Sequence, residues 1–293
     1  MNTYAHPELI ALAETAEAEF MYAYEGGAPS RIKAALGIST ARLGGGVALS
    51  MRHDQTRYWS KALGFGLSEP VTGRLMEDLV EFYRSEGTPM TVLQIAPSAL
   101  PPDWSSIAAD LGLRGGSEWY KLAAPLDRIR PEARTRLRIA PVGAEDADQW
   151  ARTTVRGFGM PEETLSPMLA ACVENPFFLP FAAWDGDQIV AGANLFIHGP
   201  IASLNAASTL PSHYNRGAQS ALIAARVKAA YDAGCTWVIA ETGRPSPGEV
   251  NNSLSNLERA GLRPLYSRAN WLWTNPDQHG ADGAVAAATG RAR

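Results

Sequence analysis

The sequence predicts an α/β (α+β) protein of two related domains, each with a mixed central sheet flanked by helices. Strand-like and helix-like patterns alternate along all 293 residues. The two halves also end in the same series of features, and a hydrophobic content of 46% is enough for two cores. We therefore predict domains at 1–127 and 137–274, an arginine-rich linker at 128–136, and a disordered Gly/Ala-rich tail at 275–293.

The first half begins with an apolar stripe at helical spacing, which predicts a helix from Pro7 to Glu25. Three glycines, Gly44 to Gly46, interrupt a strand-like run. They resemble a phosphate loop, but no Lys-Ser/Thr pair follows, so a hairpin turn is the better interpretation. The other elements predicted here are helix Pro70–Ser85, strand Met90–Ala96, helix Trp104–Leu111 and strand Ser117–Ala124.

The second half is organised around a strand, a loop and a helix. A β-like run ends at Pro211, a polar loop follows, and a helical stripe begins with Ile223 and Val227 and ends with Ala230 and Tyr231. Such a unit gathers free backbone N–H groups at the start of the helix, where they favour phosphate. The other predicted elements are strands 137–141, 177–184, 188–197, 201–210, 237–242 and 265–273, and helices 144–156, 162–173 and 252–260.

The ends of the two halves repeat one another. Each runs helix, glycine, strand, polar loop, short helix, Gly-Leu-Arg and an aromatic strand, with Gly87 and Gly112 in the first half matching Gly234 and Gly261 in the second. This order favours duplication of one unit. The first half has no counterpart of the loop at 215–220, so we expect it to have lost ligand binding.

Composition excludes several classes of function. The formal net charge of −4 gives no general attraction to nucleic acid or to an anionic membrane, and no stretch is long enough to span one. Two cysteines, Cys172 and Cys235, are too few for a disulfide framework or a zinc site. The acidic start of the chain differs from a signal peptide. We expect a cytoplasmic protein, monomeric or homodimeric, with no metal.

The stretch from Pro211 to Leu222 carries a family resemblance. A strand and a proline precede Gly217, which opens a long helix, and Asn251 to Arg263 forms a later helix ending in Arg-x-Gly-Leu-Arg. In this order of elements, residues 137–273 resemble the GNAT family of acetyl-CoA-dependent N-acetyltransferases. Tyr214 and Gln219 depart from that family's phosphate loop, and the first half resembles a degenerate copy.

The resemblance implies a set of residues that bind acetyl-CoA as a cosubstrate. Backbone groups of the third strand would pair with its pantetheine arm, amides at the helix start would hold its pyrophosphate, and the later Asn-containing helix would approach the arm. The positions implied are Ser208, Thr209 and Leu210, then Arg216, Gly217, Ala218, Gln219, Ser220 and Ala221, and finally Asn252 and Asn256.

Glu241 is the candidate general base. It is a lone carboxylate at the end of an apolar strand, beside the cleft where the family's two central strands separate. The alternative for Glu241 is a structural hydrogen bond to a loop. His213 is a second titrating candidate, and Tyr266 either lines an acceptor pocket or packs in the core. The family's acid, a tyrosine, is replaced by Leu257.

Two functions remain open from the sequence. The first is an N-acetyltransferase that moves an acetyl group to an amine of a small molecule or peptide by direct attack. The second is a catalytically idle protein that binds acyl-CoA or a related ligand. The identity of the acceptor does not follow from the fold.

Overall fold

The computed structural model describes residues 6–278. The helices are α1 (Pro7–Gly26), α2 (Ser30–Leu36), α3 (Gly73–Ser85), α4 (Trp104–Asp110), α5 (Ala147–Gly157), α6 (Glu162–Ala171), α7 (Ala218–Asp232) and α8 (Asn252–Ala260). The strands are β1 (Ile38–Leu43), β2 (Gly46–Met51), β3 (Lys61–Leu63), β4 (Met90–Gln94), β5 (Arg114–Pro125), β6 (Arg138–Pro141), β7 (Phe178–Asp185), β8 (Gln188–His198), β9 (Ile201–Thr209), β10 (Trp237–Gly243) and β11 (Arg263–Thr274).

All eleven strands form one sheet, in the order β1-β2-β3-β4-β11-β5-β10-β9-β8-β7-β6. The last strand of each half lies inside the other half. β11 separates β4 from β5, and β5 separates β10 from β11. The halves are therefore interlocked through an exchange of their final strands.

The exchanged strands are paired along most of their length. β5 pairs with β10 from Trp119 opposite Gly243 to Pro125 opposite Trp237, in antiparallel register. β11 pairs with β4 over five residues, including Asn270 opposite Gln94. The linker predicted at 128–136 does fall between two strands, β5 and β6, but β5 belongs to the sheet of the second half as much as to the first.

Helix α1 connects the two halves on one face of the sheet. It begins with Pro7, a favoured first helical residue, and the His6 side chain accepts a hydrogen bond from the Glu8 N–H. Ala13 and Ala16 are fully buried and pack with residues of β5, β9 and β10. Because these side chains are small, α1 can lie close to the sheet, and polar side chains on the same helix can reach the strands.

The remaining helices divide between the halves. α3 and α4 bury their apolar faces against the first-half strands, and α7 and α8 bury theirs against β5, β9 and β10. α5 and α6 meet the far end of α1, where Tyr24 and Phe178 pack edge to face with ring centroids 4.6 Å apart.

Several sequence predictions are confirmed and others need correction. The predicted hairpin turn is present, with Gly44 and Gly45 at positive φ in a two-residue loop, while the third glycine, Gly46, begins β2. Helix α2 and the three-residue β3 were not predicted, since neither is long enough to show a period. Tyr231, which the periodicity placed on the buried stripe of α7, is 71% exposed.

Residues 275–278, predicted as the start of a disordered tail, belong to the described structure. The Asn275 side chain is buried, and its N–H donates to the Pro89 carbonyl. Residues 279–293 lie outside the described part of the chain. Both cysteines are buried and free. Between residues 6 and 278, no helix combines the length and apolar character needed to cross a membrane.

We predict that a fragment comprising residues 134–293 does not fold alone. It lacks α1 and β5, so the facing edges of β10 and β11 lose their shared partner strand. We expect no cooperative thermal transition by circular dichroism for this fragment, and recovery of the transition when residues 1–133 are co-expressed. A cooperative transition of 134–293 by itself would contradict the strand exchange.

Candidate functional site

The two central strands of the second half separate to form a cleft. β9 and β10 pair in parallel at only three positions, ending at Ser203 opposite Ile239. Beyond these positions, β9 remains paired with β8, while β10 remains paired with β5. The Leu210 N–H donates to the Val190 carbonyl of β8. Because neighbouring residues of a strand point to opposite edges, the backbone groups of Thr209 face the cleft.

A bulge bends β9 away from β10. Ala206 has a φ of +48°, and the register with β8 shifts between Gly192 and Asn194. Arg226, buried on α7, donates to the carbonyls of Asn194 (3.0 Å) and Asn205 (3.4 Å). Burial lowers the pKa of Arg226 to about 9. This side chain braces the bend that opens the cleft.

The start of α7 lies next to the cleft. Gly217 precedes the helix with a φ of +79°, a conformation that favours glycine. In the described chain no side chain caps this helix, and the N–H groups of its first turn, from Ala218 to Ser220, have no acceptor within the helix. The helix dipole and these donors favour an anion here.

A cavity of about 400 Å³ adjoins this helix start. It lies between α7, α8 and the inter-half linker, and its charged lining consists of three arginines, Arg130, Arg134 and Arg259, and one carboxylate, Glu132. The linker packs tightly against the loop. A Cβ added at Gly217 would lie 2.1 Å from the Arg134 carbonyl oxygen, and the Thr135 hydroxyl donates to the Arg216 carbonyl.

Glu241 lies near the end of β10, on the face covered by α1. Its Oε1 accepts a hydrogen bond of 2.8 Å from the ammonium of Lys121, which stands directly opposite on β5. Among residues 6–278 its other carboxylate oxygen has no hydrogen-bond partner, and the side chain is 7% exposed. One oxygen is therefore fixed and the other is left for a further contact.

Lys121 and Glu241 belong to a buried ionic network. Arg268 on β11 makes paired hydrogen bonds to the carboxylates of Glu14 and Glu17 on α1, at 2.5 to 2.7 Å. Lys121 also contacts Glu17 at 2.5 Å. The network contains three carboxylates and two cations, so it carries one negative charge in excess when all are ionised.

The network sets different pKa values for its acids. Burial alone would raise the pKa of Glu17, but Arg268 and Lys121 outweigh it and lower that pKa to about 2. Burial raises the pKa of Glu241 above its ordinary value, and the attraction of Lys121 offsets only part of the rise. The Glu241 carboxylate therefore binds a proton more readily than it would in water.

The predicted site residues do not all meet at the cleft. Thr209 faces it, whereas the Ser208 hydroxyl donates to the Thr154 carbonyl of α5, and the Leu210 N–H is taken by β8. Gln219 donates to the Thr209 hydroxyl at 2.9 Å and joins the helix start to β9. The Ala221 N–H is used within the helix, by the Gly217 carbonyl.

The remaining predicted residues divide in the same way. The Arg216 side chain is held by Asp185 at 2.6 Å, and His213 contacts the same carboxylate at 3.3 Å. Asn256 lines the cavity, while Asn252 is exposed at the start of α8. Leu257 is buried in the core beneath α7 and α8.

Tyr266 was predicted to line an acceptor pocket or to pack in the core, and the structure places it in a third environment. It is largely buried, and its hydroxyl donates to Glu14 at 2.5 Å, which makes it part of the ionic network. Sequence reasoning missed Lys121 and assigned Arg130 and Arg134 to the arginine-rich linker without a role in a site. Nothing in the spacing of these residues indicates which helix or strand lies opposite them.

The first half fills the region equivalent to the cleft. β3 and β4 also pair in parallel at three positions, but the next residues pack Phe65 and Val71 into the core with Trp104 of α4. The equivalent helix, α3, is capped by the Thr72 hydroxyl, which accepts from the Leu75 N–H. The donors at this helix start are thus partly satisfied by the chain itself.

Comparison with models of protein families finds no match, and comparison with curated proteins finds none. Solved structures do match. A GCN5-related N-acetyltransferase from Kribbella flavida is 18% identical with a TM-score of 0.59, over 92% of this chain and 97% of that one. A tandem GNAT protein from the clavulanic acid biosynthesis pathway is 15% identical with a TM-score of 0.55, over 92% and 94%.

A GCN5-related N-acetyltransferase from Sphaerobacter thermophilus is 16% identical, with a TM-score of 0.55 over 79% of this chain and 81% of that one. At such identities the likeness is one of fold. The chain has the fold of a tandem GNAT protein, which confirms the predicted fold class.

We predict that Arg268→Leu destabilises the protein strongly. It leaves Glu14 and Glu17 buried with only Lys121 as a cation, and breaking a buried ion pair costs about 3–5 kcal/mol. The exposed pair of Arg42 and Glu19 is the control, since Arg42→Ala should cost about 1 kcal/mol or less. Urea unfolding at pH 7 measures both, and equal losses would exclude a structural role for the network.

Proposed function

We propose that this chain is an N-acetyltransferase that transfers an acetyl group from acetyl-CoA to an amine of a small molecule or peptide by direct attack. One observation carries the proposal. The second half combines an open cleft, an uncapped helix start and a carboxylate with a raised pKa, and the first half replaces all three. The fold shared with GNAT proteins supports the same conclusion.

The residues around the cavity fit the phosphates of acetyl-CoA. Arg130, Arg134 and Arg259 outweigh the single carboxylate of Glu132 and leave net positive charge, and the first turn of α7 provides N–H donors. The backbone of Thr209, at the edge of β9 that faces the cleft, would hydrogen-bond to the amides of the pantetheine arm. When bound, acetyl-CoA supplies the acetyl thioester.

Glu241 would act as the general base. An amine acceptor is largely protonated near neutral pH and must lose a proton to attack a carbonyl carbon. The carboxylate oxygen of Glu241 that Lys121 does not hold would accept this proton. Its raised pKa brings it closer to the pH at which the reaction runs, which favours proton transfer.

A second candidate is a protein that binds acyl-CoA without catalysis. The observation that favours it is Leu257, which is buried where the resemblance expects a tyrosine to protonate the departing thiolate. Turnover of acetyl-CoA with a panel of amines separates the two, because the idle protein would bind the cosubstrate and release no CoA.

We predict that Gly217→Ala weakens acetyl-CoA binding about tenfold or more. The added Cβ must displace the Arg134 carbonyl and with it the linker that forms one wall of the cavity. Calorimetric titration measures the affinity and should give one acetyl-CoA per chain for the wild type. A stoichiometry of two would contradict the loss of the site in the first half.

Gly234→Ala is the matched control for this change. Gly234 lies just after the same helix with a φ of +77°, and a Cβ there meets no heavy atom within 4 Å. Both variants should lose roughly 1–2 kcal/mol of stability from the left-handed conformation. If both also bind acetyl-CoA equally well, the linker wall has no role in binding.

We predict that Glu241→Gln lowers the acetyl-transfer rate by about 10²–10⁴-fold with little change in acetyl-CoA affinity. Glu25→Gln is the control, because Glu25 is also a buried acid whose pKa burial raises, and no described residue pairs with it. It lies two helical turns beyond Glu17 on α1. Wild-type rates for Glu241→Gln would show that water or another group is the base.

A further inference from the structure

The repeat relates Lys121 and Glu241 to a second pair. Glu241 follows Gly234 by seven residues, and Gln94 follows Gly87 by seven. Lys121 follows Gly112 by nine residues, and Asn270 follows Gly261 by nine. The structure pairs them accordingly, with Lys121 opposite Glu241 and Asn270 opposite Gln94.

In both pairs the two side chains are buried and hydrogen-bonded to each other, and one of the two residues lies on an exchanged strand. In the first-half sheet the Gln94 amide donates to the Asn270 side-chain oxygen at 2.7 Å. In the second-half sheet the Lys121 ammonium donates to the Glu241 carboxylate at 2.8 Å. The same place in the fold therefore holds a neutral pair on the side without a cleft and a charged pair on the side with one.

We propose that Lys121, supplied by the first half, is a positioning residue for Glu241: it fixes the orientation of that carboxylate and stabilises its ionised form. This inference rests on the proposed role of Glu241 as the base. It makes the first half a necessary part of a site whose cleft and cosubstrate cavity lie in the second.

The other contacts of Lys121 indicate that its role is not simply to neutralise the carboxylates of α1. From α1 it contacts Glu17 at 2.5 Å, Glu14 at 3.6 Å and the Ala13 carbonyl at 3.4 Å. Glu14 and Glu17 are both held independently by Arg268. Tyr266 on β11 donates to Glu14 and does not compete for Lys121.

Glu241 depends on Lys121 more than the other two acids do. In the described chain, Lys121 is the cation within 4.0 Å of its carboxylate, and Arg268 acts on it only from farther away. Removal of Lys121 would leave Glu241 buried next to the negative charge of Glu17. Its ionised form would then be disfavoured both by burial and by a like charge.

The test compares Lys121→Gln with Lys121→Arg. Loss of a cation at this distance raises the pKa of a carboxyl group by about 1–3 units. The acid limb of the kcat/KM profile should therefore move to higher pH by about 1–3 units in Lys121→Gln. Activity would be lost on the acid side of the profile and partly regained at higher pH. Lys121→Arg keeps the charge and should leave the limb near its wild-type position.

Asn270→Ala is the matched control, since it breaks the equivalent pair in the first-half sheet. The limb should stay in place for this variant. An unmoved limb in Lys121→Gln, or an equal shift in Asn270→Ala, would overturn the proposal.

A second readout does not require turnover. The ¹³C signal of the Glu241 carboxyl, assigned by its loss in Glu241→Gln, reports its titration directly. In the wild-type protein it should titrate at lower pH than Glu25, which is also buried and, among the described residues, has no cation within 4.0 Å of its carboxylate, since Lys61 and Asp54 act on it only from farther away. Equal or reversed titrations would overturn the proposal even if Lys121→Gln does not fold.

The two readouts distinguish the inference from the function on which it rests. If no amine is acetylated, or Glu241→Gln keeps the wild-type rate, the proposed function fails. The carboxyl titration still shows whether Lys121 controls the ionisation of Glu241.

Discussion

The paired hydrogen bonds between Arg268 and the two glutamates of α1 hold the centre of the molecule together. Removing an ion from water costs several kcal/mol, and this is offset only when every partner is in place. Here the partners come from α1, β5, β10 and β11. The network therefore favours the one arrangement in which both final strands are exchanged, and the position of Glu241 depends on that arrangement.

The two halves use the same framework differently. In the second, a bulge at Ala206 and the buried Arg226 keep β9 away from β10, and the helix start that follows has no side-chain cap in the described chain. In the first, Phe65 occupies the core and Thr72 caps the helix. A few apolar and capping side chains thus distinguish the packed half from the half with the cleft, while the strands keep their pairing.

Much of the fold could be predicted from the sequence, but the neighbours of each strand could not. Local signals could be recognised in the sequence. They include the periodicity of α1, the loop before α7 and the isolated carboxylate at Glu241. A repeat is equally consistent with two separate sheets and with an exchange of strands. For this reason Lys121, whose contact with Glu241 depends on which strand lies beside β5, has no signature in the sequence. The place of Arg134 in the cavity wall could not be predicted either, because no sequence pattern shows which part of the fold a linker arginine contacts.

The position of β11 also has a consequence for synthesis of the chain. This strand, Arg263–Thr274, is the last of the eleven, yet it lies between β4 and β5. Domains usually fold from the N-terminus as they leave the ribosome. Here β4 and β5 must wait, with unpaired edges, for a strand made more than a hundred residues later. Folding of this sheet is therefore completed only after β11 has emerged, and until then the edges of β4 and β5 are open to pairing with other chains.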